Sequence, residues 1–191
     1  MGRIVRTSAL AAVLATAALA AASIGPAAAS ARPNACKRFG HAAPGTVRTT
    51  RAERAVLCLV NRRRRAHGLP KLGHSDQLGK AAGRHDSYMV SHHCFSHQCS
   101  GEPSLDSRLR LVGYLVGGLR AWAYGENIAW GERSDATPAE IVRSWMHSPE
   151  HRANILNRSF RDGGVGVEWG TPLNPKARGG TYTIDFGYRL G

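Results

Sequence analysis

An α+β domain, with helices packed on a small antiparallel sheet, is what the 191-residue sequence predicts. Three observations carry this. From Thr50 to Leu156 apolar side chains recur mostly at the three-to-four spacing of amphipathic helices. Gly164–Trp169 and Thr181–Tyr188 instead alternate as strands, joined by a loop rich in Pro, Gly and Asn. The length suits one domain, and helices first with strands late give segregated layers, not a repeating βαβ order.

Residues 1–31 read as a cleaved secretory signal: Arg3 and Arg6 lead, Ala9 to Ala22 form the apolar core, and Ala27–Ala31 offer the cleavage site. The arginines are not adjacent, so a twin-arginine route is unsupported, and the short Ala-rich stretch ending at Gly25-Pro26 suits removal better than an anchor. Residues 32–49 form an N-terminal arm and 50–191 the domain. The first helix opens at a Thr50/Glu53 capping box, buries Ala52, Ala55, Val56, Leu59 and Val60, and stops at Gly68 and Pro70. Its run Arg62–Arg65 splays around the helix, which predicts a solvated surface. A second helix spans about Ser75–Ser91, with His85 on the inner face as a core residue, and a third about Ser104–Val112. Thr137-Pro138-Ala139-Glu140 opens a fourth: N-cap, Pro at N1 and acid at N3. Ser148-Pro149 restarts the chain as a short helix bearing His151, and Ile128–Trp130 is a candidate third strand.

Lys and Arg total 26 against 13 acids; removal of residues 1–31 takes two of the basic side chains and no acid, lowering the formal charge from +13 to +11. In an exported protein that balance points to anionic envelope polymers or lipid head groups, not nucleic acid, although it also serves solubility. No later apolar run is long enough to span a membrane. Export favours bridges among Cys36, Cys58, Cys94 and Cys99, and of three pairings Cys94–Cys99 with Cys36–Cys58 is preferred. The first closes a short loop and the second ties the arm to a helix. The competing zinc knuckle in His92–Cys99 has suitable ligands but no standard spacing.

No G-x-S-x-G elbow, Walker loop or G-x-G-x-x-G follows a strand. His147-Ser148-Pro149-Glu150-His151 fits H-x-x-E-H, but Pro149 breaks the helix that would align both imidazoles on a metal. What remains is a dispersed set: Phe95-Ser96-His97, Gly125-Glu126-Asn127-Ile128-Ala129-Trp130 and Ser148-Pro149-Glu150-His151-Arg152-Ala153-Asn154-Ile155-Leu156. With Val60-Asn61 through Pro70 and Gly164–Val167, these segments resemble the CAP superfamily, the SCP-like or cysteine-rich secretory protein family, in its bacterial secreted form. The resemblance runs from about Thr50 to Tyr188.

It implies an α-β-α sandwich with an open cleft in which His97 and His151 stand as the two histidines and Glu126 as a glutamate, with Asn127 beside it. The second glutamate of animal members has no counterpart, since Met146, His147 and Ser148 follow Trp145 and Glu140 precedes it. Two neutral imidazoles beside a carboxylate suit a divalent metal, zinc first. Family members are linked to sterol or lipid binding, metal binding and isolated proteolysis, without a general activity. The expectation is a binding protein, taking a divalent metal and a lipidic, sterol or anionic ligand. A metal-assisted hydrolase of peptides or wall polymers with Glu126 as base is the alternative, and scaffolding by Glu126 and Asn127 a third reading.

Overall fold

The computed structural model describes residues 35–191; the expected signal and the first part of the arm lie outside them. A short helix α1 (Ala35–Phe39) is tied by the Cys36–Cys58 bridge to α2 (Thr49–Ala66). A bridge across 22 residues stabilises by roughly 3 kcal/mol through lost unfolded-state freedom. Part of the expected arm is therefore helical. The helix α2 begins a residue earlier than expected, its N-cap is Arg48 without a side-chain hydrogen bond, and the Thr50/Glu53 capping box does not form.

The chain continues through β1 (Gly73–His74), α3 (Asp76–Ser91), α4 (Leu105–Leu111), β2 (Ala121–Glu132) and a 3₁₀ turn at Arg133–Ala136. It ends with α5 (Pro138–His147), α6 (Pro149–Ile155), β3 (Asp162–Trp169) and β4 (Gly179–Leu190). Polar caps set the helix starts where the sequence placed them: Ser75, Ser104 and Thr137 accept from the backbone N–H groups of Leu78, Ser107 and Glu140. The chain at Ser148 is extended (φ −92°, ψ 123°), so His147 closes α5 while His151 rides on α6.

The strands β2, β4 and β3 pair antiparallel; β1, absent from the sequence reading, adds parallel to β3, giving the order β1-β3-β4-β2. The strand expected at Ile128–Trp130 is the middle of the 12-residue β2. Alternation gives the sheet two faces. Phe186, Ile184 and Tyr182 of β4, with Val165 and Val167, meet α2, α5 and α6 in the main apolar core. The opposite face, under α3, is small or polar: Gly164, Gly166, Thr183, Asp185 and Glu126. A side chain at Gly164 or Gly166 would collide with the backbone of α3, so these two glycines let that helix lie against the strand. The layers are helix, sheet, helix, as the resemblance implied.

The arginine run departs from expectation. Arg62, Arg63 and Arg65 are exposed, but Arg64 is fully buried and donates to the carbonyls of Pro70, Ile155, Asn157 and Phe160. The splay that keeps four successive arginines off one face turns one of them inward. There its guanidinium satisfies the carbonyls at the end of α6, which otherwise lack partners.

A candidate cleft at the edge of strand β2

Adjacent residues of a strand point to opposite faces, and the Gly125-Glu126-Asn127 segment uses this. Glu126 faces the α3 layer, opposite Asp185 in register. Asn127 faces the other way, fully buried, and donates to the carbonyl of His151 while accepting from Asn154. Asn154 also donates to the carbonyl of Glu126. Asn127, expected beside Glu126 in the cleft, thus holds α6 against β2 instead. The period of two explains it: a one-residue step along β2 changes face.

His97 arrives from the loop between α3 and α4, closed by the Cys94–Cys99 bridge. Its Nδ1–H donates to Glu126 Oε1 at 2.8 Å; the imidazole is 58% exposed and the carboxylate 2%. Arg108 of α4 braces the same carboxylate, with Nη1 at 3.1 Å from Oε2 and Nη2 donating to Oε1 at 3.3 Å and to the His97 carbonyl at 2.9 Å. Burial alone would raise the Glu126 pKa. The hydrogen bond from His97 and the charge of Arg108, with a smaller effect of His85, outweigh it and hold the carboxyl below its ordinary value. Glu126 is therefore a fixed negative charge.

His85 is buried, as expected, yet belongs to this cluster. Its Nδ1–H donates to both oxygens of the buried Glu102 at 2.8 and 2.9 Å, and Nε2, without a hydrogen bond, lies 3.9 Å from Glu126 Oε1. Burial lowers its pKa, with the charge of Glu126 3.9 Å away opposing. Asp185 and Asp86, both fully buried, have pKa values pushed well up by desolvation, and in Asp185 further by Glu126. Asp86 accepts from the Thr183 hydroxyl at 2.6 Å. Sequence reasoning missed Glu102, Arg108, Asp86 and Asp185. The signal for Asp185 was available: an acid at an inward position of an alternating strand.

His151 sits on the α6 side of the edge, partly buried. Its pKa is lowered by burial first and by the neighbouring His97 second. His97 and the helix that bears His151 meet β2 from its α3 and α6 sides, at Glu126 and Asn127. Among the described residues no three His, Cys, Asp or Glu side chains are grouped to hold one metal ion. The knuckle alternative is overturned, because Cys94 and Cys99 are joined to each other. The two bridges pair the cysteines as the sequence reading preferred.

A three-layer sandwich with a His–carboxylate pair beside the outer strand of the sheet defines the class as a CAP-type domain. The model of the cysteine-rich secretory protein family, CAP, matches residues 57–174, more than half of the chain, and the protein belongs to that family. It is 37% identical over 120 residues to the uncharacterized protein YkwD of Bacillus subtilis (strain 168), covering 62% of this chain and 44% of that one. It is 34% identical over 119 residues to the uncharacterized membrane protein YlbC of the same organism, covering 62% and 32%. The chain thus spans less than half the length of either curated relative. An extracellular SCP-domain protein of Bacillus anthracis str. Ames superposes with a TM-score of 0.56 at 26% identity, over 74% of this chain and 44% of its own. An outer surface protein of Borrelia burgdorferi superposes with a TM-score of 0.61 over 75% of this chain and 96% of its own; at 17% identity it speaks to the fold alone. Two disulfides are consistent with an oxidising compartment. No helix among the described residues is long and apolar enough to cross a membrane.

Proposed function

We propose that the protein is a binding protein whose cleft takes a divalent cation, zinc first, on His97 and His151, next to a lipidic or anionic ligand of the cell envelope. One observation carries the reading: Glu126 fixes the proton of His97 on Nδ1, leaving Nε2 as a free lone pair on a ring that is 58% exposed. A carboxylate behind an imidazole orients the ring and raises its basicity as a ligand. The lowered pKa of His151 keeps that ring neutral, as ligation requires. The donor set fits an open site with two protein ligands, the rest supplied by water or the bound ligand. The cation would supply a positive centre for an anionic group. The basic balance of the chain, +13 overall, supports an anionic ligand.

The hydrolase reading is not adopted. Glu126 is almost wholly buried, engaged by His97 and Arg108, and held below its ordinary pKa, which makes it a weak base. Calorimetric titration with zinc chloride tests the metal, comparing wild type with the His97→Ala/His151→Ala double variant. Saturable heat that vanishes in the variant supports it; identical traces overturn it. The heat should also decline in acid, below the ordinary histidine range because burial depresses the His151 pKa, as protons compete for its imidazole. For the second ligand, co-sedimentation with phosphatidylglycerol vesicles and with purified cell wall separates lipid from polymer. Retention on neither removes that half of the reading.

A further inference from the structure

The strand β2 is the long outer strand of the sheet, and its outward edge is treated differently along its length. The carbonyl of Glu126 accepts from Asn154 Nδ2, and that of Ile128 from Trp145 Nε1. In an antiparallel pair both polar groups of one residue point the same way and alternate along the strand, so the even-numbered residues of β2 face away from β4. Trp122 and Tyr124 share that parity. Among the described residues no group outside the ladder pairs with their main-chain N–H and C=O, and their side chains are 49% and 37% exposed. Folded proteins blunt or cover such edges, and this one does so at the Glu126 and Ile128 carbonyls but not at Trp122 and Tyr124.

We propose that the open half of this edge, Arg120–Gly125, binds an acidic polypeptide segment in extended conformation, added to the sheet as a further strand. The open backbone selects another backbone: donors and acceptors at strand spacing are satisfied by a peptide and not by lipid tails. Charge selects its sign. Arg120 precedes the edge, Arg189 is the register partner of Trp122, and Arg110 shares with Trp122, Leu115 and Val116 the lining of a cavity of about 170 Å³. Arg110 is already paired with Asp106, so the net positive charge here is that of Arg120, which donates to the Gly191 main-chain oxygen, and of Arg189, which donates to the Tyr114 carbonyl and the Gln77 side chain. That cavity is smaller than the roughly 300 Å³ at which ligand pockets begin, so it suits one side chain of such a segment and cannot enclose a lipid. The added strand would end against α6, beside His97 and Glu126. No metal is needed for it to bind.

The test uses the capped, fluorescein-labelled hexapeptide Glu-Val-Glu-Val-Glu-Val and its Lys-Val counterpart, read by anisotropy. Two further versions of the acidic peptide are N-methylated on one or the other set of alternate amides, removing the donors of one edge. Saturable binding of the acidic peptide, weakened at least tenfold by one methylation pattern and absent for the basic peptide, is the expected result. Tyr124→Pro deletes an outward N–H without touching the ladder to β4, and should weaken binding at least tenfold beyond Tyr124→Ala. The methylated peptides act on the unaltered protein, so the outcome stands even if the proline variant does not fold. The proposal is overturned if neither methylation matters or the acidic peptide does not bind. It is equally overturned if the edge instead engages phosphatidylglycerol vesicles or a second copy of the chain while the peptide fails to compete.

Discussion

Glu126 is the residue on which the site turns: it accepts the proton-bearing nitrogen of His97, faces the guanidinium of Arg108, and lies against Asp185 with almost no access to water. Removing its charge strands Arg108, and breaking a buried pair costs about 3–5 kcal/mol. Glu126→Gln should therefore melt well below wild type at neutral pH. The sign follows from the depressed pKa: the stability it contributes is present above the unfolded value, near 4.5, and is lost as pH falls through the lower folded value. The gap between the two melts should close in strong acid. Asp185 behaves oppositely. Its folded pKa is raised, so its contribution is full below the unfolded value, near 3.8, and is lost as pH rises toward the folded one. Asp185→Asn should be more stable than wild type at pH 7, by about 2–4 °C per kcal/mol gained, with the advantage gone below about pH 4. Thermal melts across pH check both. The His97–Glu126 pair was legible because motifs carry both residues. Asp185, Arg108 and Glu102 lie outside those motifs, and their roles arise only when α3, α4 and the sheet close on one another.

At the scale of elements, the loop between α3 and α4 places His97, and the Cys94–Cys99 bridge restrains it. Tyr88 adds a hydrogen bond to the carbonyl of Ser100, and Gln98 one to that of Glu102. Replacing both cysteines by serine should weaken zinc binding about tenfold while lowering stability by only about 1–3 kcal/mol, since the loop closed is short. Calorimetry beside a denaturant melt separates the two effects. The contact of α3 with β3 rests on Gly164 and Gly166, and Gly166→Ala should destabilise by more than about 3 kcal/mol because backbone, not a flexible side chain, blocks the added methyl. Helix starts were readable from Ser75, Ser104 and Thr137, whose side chains cap within three residues. The Thr50/Glu53 pattern misleads because Thr49 is already helical, and β1 is invisible in the sequence because two residues carry no periodicity. For Arg64, the sequence shows the splay of four arginines but not which direction meets the carbonyls of α6.

Across the whole molecule, the edge of β2 joins what the chain keeps far apart: a disulfide-closed loop before it, a helix after it, and the strand itself. The family segments were enough to foresee a helix–sheet–helix sandwich, because each of them sits at a junction between layers. They could not foresee that Glu126 and Asn127 divide the labour, one toward His97 and one toward α6. The central claim is that His97 and His151 act together as ligands while Glu126 holds the first of them in place. Long-range proton–nitrogen correlation spectra of the imidazole rings, recorded during a zinc titration at pH 7, test this most directly. The account predicts that His97 Nε2 and one ring nitrogen of His151 shift together and saturate together, with the His97 Nδ1 proton retained. Movement of His97 alone, or of neither ring at millimolar zinc, would contradict it.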